Sequence, residues 1–170
     1  MVTKTSNLSP AAAQFVVNAG SVAQTSQNCD ILPWRFNVYV GPGGKSDVQS
    51  AIDRLSDRTA ARLAAIIRHL SPEPRDGWHR PQAAKLVGFE DLFELRFKDG
   101  DTPCRPTGFF GPGPGTFTIT LFVTKNRNGY HPPRAFEIAD RRRVDVATGK
   151  AWTAPLEIDG EVFPPTSDEG

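Results

Sequence analysis

The chain has 170 residues, of which 38% are hydrophobic, and this is enough for one domain with a normal core. Its formal net charge of +1 excludes a strong global field as the means of binding nucleic acid, although basic residues cluster locally in segments 78–105 and 125–143. Cys29 and Cys104 are too few for a disulfide framework, so reduced thiols are expected. No apolar run reaches the roughly 18 residues of a membrane span, and no signal-peptide core is recognised, which together predict a cytoplasmic protein without a membrane partner.

The first element with a clear period is a predicted strand over residues 34–40. Apolar and polar residues alternate there from Trp34 to Val40, a pattern typical of a half-buried strand. The preceding residues, 1–33, are rich in Ser, Thr, Asn, Gln and Ala. They predict a flexible or peripheral N-terminal arm.

Two helices are predicted between residues 46 and 70. Ser46 is followed three residues later by Gln49, which is a capping-box pattern, and Ser56 is a second N-cap. Apolar residues follow each cap at helical spacing, as far as Leu70. The Ser-Pro-Glu-Pro sequence that comes next ends the pair, so a helical hairpin packed across a sheet is expected.

Three strands in succession are predicted over residues 92–97, 104–110 and 117–124. The third has the strictest alternation of apolar and polar side chains. Pro106 interrupts the second, and because proline cannot donate to a ladder, an edge or a bulge is expected there. A basic polar segment, residues 125–133, follows the third strand.

A last helix is predicted to begin at Pro132-Pro133 and to carry Arg141-Arg142-Arg143. Residues 147–170 return to Gly, Pro and acidic side chains and predict a C-terminal tail that contains a short strand or docking segment. The order strand, helix, helix, three strands, helix predicts an α+β fold for residues 34–146. Its expected form is an antiparallel-dominated four-stranded sheet with the helical hairpin packed on it.

Three segments of the chain resemble a known family. They are the sequence Leu92-Phe93-Glu94-Leu95-Arg96, the strand from Arg105 to Phe110, and the segment from Leu121 to Pro133. With the order of elements, they make residues 34–145 similar to toxins of the RelE/ParE superfamily, closest to the HigB branch and related phage-derived host-killing-like proteins. The resemblance implies a RelE-like fold and a ribosome-dependent mRNA endonuclease (an mRNA interferase) that blocks translation. It also implies a cognate helix-turn-helix antitoxin as partner, besides the ribosome and mRNA.

Cleavage of RNA through its own 2′-hydroxyl needs a base, positive charge on the developing phosphorane and a proton for the leaving oxygen. Arginine forks bind phosphate, and two arginines lie on neighbouring predicted strands. The catalytic candidates are Arg96, Arg105, Lys125, Tyr130 and His131. The RNA-binding candidates are His79, Arg80, Lys85, Arg127 and Arg142. Neither a cofactor nor a metal is expected, because the three histidines offer no ligand cluster.

Alternatives remain open at the level of the sequence. Each candidate has a structural explanation: Arg96 pairing with Glu94, for example, or Tyr130 packing against the start of the last helix. Two other functions fit the same pattern, a ParE-like module that inhibits DNA gyrase and a catalytically inactive phage or mobile-element interaction protein. A further hypothesis, from charge complementarity, is that the acidic tail (residues 147–170) folds over the basic face like an internal antitoxin.

Overall fold

The computed structural model describes residues 32–163, which form three helices and twelve strands in mixed α+β order. The helices are α1 (Asp47–Asp53), α2 (Asp57–Leu70) and α3 (Ala135–Ala147). The strands are β1 (Arg35–Val40), β2 (Ala83–Lys85), β3 (Leu92–Leu95), β4 (Phe97–Asp99), β5 (Thr102–Cys104), β6 (Thr107–Phe110), β7 (Thr116–Leu121), β8 (Thr124–Asn126), β9 (Gly129–His131), β10 (Trp152–Pro155), β11 (Glu157–Ile158) and β12 (Glu161–Val162). The predicted N-terminal arm lies outside the described residues, apart from its last two.

The main sheet has six strands in the order β10-β1-β7-β6-β3-β2. Strands β1 and β7 run parallel, and every other pair in this sheet is antiparallel. The strand predicted over residues 34–40 is confirmed as β1, and the strictest alternation, in segment 117–124, falls largely on the central strand β7. All six residues of β7 are buried, so both faces of the sheet are covered at its centre.

The two faces of the sheet are covered by different elements. On one face, Phe36 and Phe117 pack with Trp78 at ring-centroid distances of 5.6 and 4.7 Å, and Trp78 Nε1 donates to the carbonyl of Leu70 at the end of α2. Ser46 and Ser56 cap α1 and α2 as predicted. Helix α3 packs against β6 and β7, and its Arg142 lies over the ring of Tyr39, which is three residues from Phe36 on β1 and so points to the opposite face. The structure is therefore layered, with the sheet between α2 and α3.

The predicted RelE-like fold, a four-stranded sheet with a helical hairpin packed on it, is wrong. The chain is richer in sheet than that fold: besides the six-stranded sheet it has a four-stranded sheet, β4-β5-β8-β9, and a two-stranded sheet, β11-β12. The segments predicted as continuous strands break at Arg96 and at Arg105-Pro106, where the chain passes between the main sheet and the four-stranded one. Local alternation continues through such a crossing, so the pattern alone does not reveal it.

Pro106 and Gly108 mark an irregular part of the main sheet. The pairing of β6 with β7 shifts register between Thr107 and Gly108, which agrees with the bulge expected near the proline. Arg105 lies between β5 and β6, and its N–H donates to Val123 O, next to the Cys104–Thr124 pair of the four-stranded sheet. The irregularity therefore turns the strand from one sheet into the other.

The segment after α3 completes the opposite edge of the main sheet. Strand β10 pairs antiparallel with β1, Leu156 N donates to Phe36 O, and Phe163 is buried. This confirms the expected short strand and docking segment within residues 152–163. No helix within residues 32–163 combines the length and apolar character needed to cross a membrane.

Arg142 on α3 forms an ion pair with Asp47, the first residue of α1. Its guanidinium forms two hydrogen bonds with the Asp47 carboxylate (2.9 and 2.7 Å), donates to Thr120 O at 2.8 Å and lies over the Tyr39 ring at 4.6 Å. The predicted RNA-binding residue Arg142 is thus held by protein groups on the β1 side of the sheet.

Replacing Arg142 by alanine is expected to lower the free energy of unfolding by about 1–2 kcal/mol, because it removes a forked ion pair and a bond to a backbone carbonyl, both partly exposed to water. Urea denaturation measures this loss. Arg141→Ala is the matched control, since Arg141 is the exposed neighbour on the same helix. Loss of RNA affinity without loss of stability in the Arg142 variant would contradict this structural role.

A basic groove around a buried glutamate

A groove of about 420 Å³ opens between the β2–β3 edge of the main sheet, the β8–β9 hairpin and the start of α3. We call it the basic groove. It is lined by Arg80, Ala84, Lys85, Leu86, Val87, Glu94, Arg96, Arg105, Lys125, Tyr130 and Phe136. Five basic residues and a single acidic residue thus line the groove. Such an excess of positive charge in a concave site attracts anions of the size of a nucleotide.

Strand pairing brings these residues together from distant parts of the chain. Glu94 on β3 pairs with Ala84 on β2, and the next pair along these strands is Phe93 with Lys85, at the edge of the sheet. The β8–β9 hairpin, which pairs Lys125 with Tyr130, joins the four-stranded sheet where β8 meets β5. The groove therefore lies where the main sheet and the four-stranded sheet diverge.

Glu94 is the electrostatic centre of the groove. Its side chain is only 5% exposed, and its Oε1 is bonded by Arg96 Nη1 and lies 3.7 Å from Arg105 Nε. A buried carboxylate is costly unless it is paired, and here two guanidinium groups share one oxygen. Glu94 consequently holds two arginines close together at the floor of the groove, against their mutual repulsion.

Arg105 is fixed by its own strand as well. Its Nη1 donates to Phe97 O at 3.2 Å and to Cys104 O at 2.8 Å. Burial and, after it, the nearby charge of Arg96 lower the pKa of Arg105 from its ordinary value. A bound anion relieves this repulsion, so the pair is poised to bind a negatively charged group.

Aromatic side chains form one wall of the groove. The Tyr130 ring is in edge contact with Phe136 at a centroid distance of 4.7 Å, and Phe136 meets Phe89 at 6.1 Å. Lys125 Nζ lies 5.3 Å from the centre of the Tyr130 ring. Tyr130 remains 39% exposed, which leaves ring surface on which a nucleobase can stack.

A second, shallower depression of about 280 Å³ adjoins the basic groove. It is lined by Arg80, Pro81, Arg96, Phe97, Lys98 and Arg105. Arg80, Arg96 and Arg105 line both depressions, so together they form a continuous basic path rather than an isolated pit. A path of this kind fits an extended strand of charged backbone.

The structure assembles part of the predicted site. Six of the predicted residues line the basic groove: Arg80, Lys85, Arg96, Arg105, Lys125 and Tyr130. His131 is exposed on β9, where it pairs with Thr124, and Arg127 is exposed in the β8–β9 turn; neither lines the groove. His79 Nδ1 lies 2.8 Å from Arg80 O, and this exposed side chain does not line the groove either.

Sequence reasoning missed Glu94 and Phe136 as site residues. Glu94 was interpreted only as a partner for Arg96, which it is, but its burial at the floor of the groove was not foreseen. A signal was present, because Glu94 is the one acidic residue within an otherwise apolar strand. A charge at such a position needs a partner or a function.

Cys104, next to Arg105, is an unreactive neighbour of the groove. It is buried, and burial is the first cause that raises the pKa of its thiol. A protonated, buried thiol is a poor nucleophile. Within residues 32–163, no cluster of three or more His, Cys, Asp and Glu side chains is arranged to hold a metal ion.

Residues 152–163 lie at the edge of the main sheet that is opposite to the basic groove. Strand β10 occupies the β1 edge of the main sheet, whereas the groove adjoins the β2–β3 edge. The hypothesis that the acidic tail covers the basic face is therefore wrong for these residues, because main-chain pairing with β1 holds them at the other edge. Residues 164–170 lie outside the described part.

Comparison of the chain with models of known protein families, with curated proteins and with solved structures gives no match.

Proposed function

We propose that this protein is an endoribonuclease that cleaves RNA through the substrate's own 2′-hydroxyl. One observation carries the proposal: Arg96 and Arg105 converge on the buried carboxylate of Glu94 at the floor of a basic groove with an aromatic wall. Phosphate needs paired guanidinium donors, and single-stranded RNA needs a ring on which a base can stack. The groove supplies both within the reach of one nucleotide.

The proposed roles follow from the positions of the side chains. Arg96 and Arg105 bind the scissile phosphate and stabilise the charge that develops on its oxygens. Lys125, whose Nζ lies 5.3 Å from the centre of the Tyr130 ring, adds a third positive charge. Tyr130, which lines the groove, stacks on a base or supplies the proton for the leaving 5′-oxygen, while the proton of the attacking 2′-hydroxyl passes to water in the open groove.

The proposal also covers the substrate, the cellular effect and the partner of this activity. Following the resemblance of three segments to RelE/ParE toxins, we propose mRNA on the ribosome as the substrate, arrest of translation as the consequence and the cytoplasm as the site of action. A small helix-turn-helix antitoxin is the proposed partner. An acidic segment of such a partner fits the charge of the basic groove.

The experiment combines expression and chemistry. Wild-type protein, induced in a bacterial host, is expected to arrest growth and to produce new 5′ ends in mRNA. Purified protein with ribosomes and mRNA is expected to leave 2′,3′-cyclic phosphate and 5′-hydroxyl ends. Growth arrest with intact mRNA would favour gyrase inhibition instead, and absence of both effects would favour an interaction protein.

A further inference from the structure

The second carboxylate oxygen of Glu94, Oε2, accepts no hydrogen bond within residues 32–163. Both arginines approach Oε1, and within residues 32–163 no hydrogen-bond donor reaches Oε2. Oε2 is itself closed to water, although Glu94 lines the groove, so a ligand reaches it only when the carboxylate turns toward the groove. A buried acceptor without a donor is an energetic liability that a bound ligand can remove.

The chemistry of the groove restricts the ligand. Its rim attracts anions, whereas Oε2 itself is an acceptor on a carboxylate and repels a phosphate oxygen. The matching ligand is therefore an anion that also carries a hydrogen-bond donor close to its charge. A nucleotide has two such donors, the ribose 2′-hydroxyl and the N–H groups of the base.

We propose that Glu94 is a recognition residue: its carboxylate turns toward the groove, and Oε2 then accepts a hydrogen bond from a donor on the nucleotide whose phosphate lies on Arg96 and Arg105. The identity of the ligand as RNA rests on the proposed function. Through this contact, the groove distinguishes a nucleotide with a donor in the right place from one without it. A hydrogen bond to a charged acceptor is worth about ten- to a hundredfold in affinity.

The test uses ligands that cannot be cleaved, so that binding is separated from catalysis. Ribonucleoside 3′-monophosphates of the four bases, their 2′-deoxy counterparts and inorganic phosphate are titrated against the full chain and the Glu94→Gln variant. In the variant, an amide NH₂ group can take the place of Oε2 and present a donor instead of an acceptor. Glu90→Gln is the matched control, because Glu90 is an exposed carboxylate four residues away.

Wild-type protein is expected to bind one group of these nucleotides about tenfold or more tightly than the rest: either the ribonucleotides over their 2′-deoxy counterparts, or those bases whose N–H group reaches Oε2. A preference lost in the 2′-deoxy series assigns the donor to the ribose, and one among bases that survives there assigns it to the base. In Glu94→Gln, the preference is expected to fall to about twofold or less, while phosphate binds as tightly or more tightly because a negative charge is gone. Glu90→Gln is expected to behave like wild type.

Three outcomes would overturn this role of Glu94. The first is a wild-type protein with no preference in either series, and the second is a preference that Glu94→Gln retains. The third is a loss of phosphate affinity in Glu94→Gln, which would mean that Glu94 only holds the two arginines. The proposed function fails separately: absence of RNA cleavage by wild type would refute it even if the nucleotide preference depends on Glu94.

Discussion

Replacing Arg96 or Arg105 by alanine is expected to lower the rate of RNA cleavage by about 100-fold each, because each removes a donor from the place where charge develops on the phosphate. The double variant is expected to lose growth arrest altogether. Single substitutions leave Glu94 paired with the remaining arginine, so the carboxylate is not stranded. Single-turnover cleavage of a defined mRNA on ribosomes measures the effect.

The geometry of the guanidinium group gives this prediction a sharper form. Arg96→Lys keeps the charge but loses the fork, so an activity between those of wild type and Arg96→Ala is expected. Arg58→Ala is the matched control, since Arg58 is exposed on α2 and does not line the basic groove. Cleavage at the wild-type rate by both single alanine variants, with folding intact, would remove the arginine pair from the mechanism.

Replacing Gly108 by alanine is expected to destabilise the fold by at least about 3 kcal/mol, since overpacking against backbone cannot be relieved by a side-chain rotation. An added Cβ would overlap Thr118 O and would lie 2.8 Å from Thr118 C and 2.9 Å from Ile119 Cα. These atoms belong to the central strand β7, which is buried on both faces.

Thermal or urea denaturation followed by circular dichroism measures this loss, and poor recovery of folded protein is an expected companion result. Gly43→Ala is the matched control, because nothing lies within 4 Å of a Cβ added there. An unchanged midpoint for Gly108→Ala would show that β6 and β7 do not approach each other as described. Because Gly108 is two residues from Pro106, the test also probes the turn of the strand that carries Arg105 into the groove.

How far the groove was predictable from the sequence differs from residue to residue. Arg96 and Arg105 were predictable because both lie in segments whose residues alternate as in strands, where a charged side chain needs a partner or a function, although the structure places both between strands. Glu94 was missed because its burial depends on pairing with Ala84 and Thr107 on two other strands. Arg142 was assigned to RNA because its helix is basic, but its partners Asp47 and Thr120 are distant in sequence.

The amino-acid sequence by itself determined the local structure: strand β1, the capped helices α1 and α2, the central strand β7 and the set of basic residues between residues 78 and 143. Caps and hydrophobic periods act over a few neighbouring residues, so they can be read without the rest of the chain. Only the tertiary structure decided how the strands divide between two sheets, and that β10 joins one edge while the basic groove forms at the other. Those choices depend on hydrogen bonds between strands far apart in the sequence, and the same pairing buried Glu94 between two arginines.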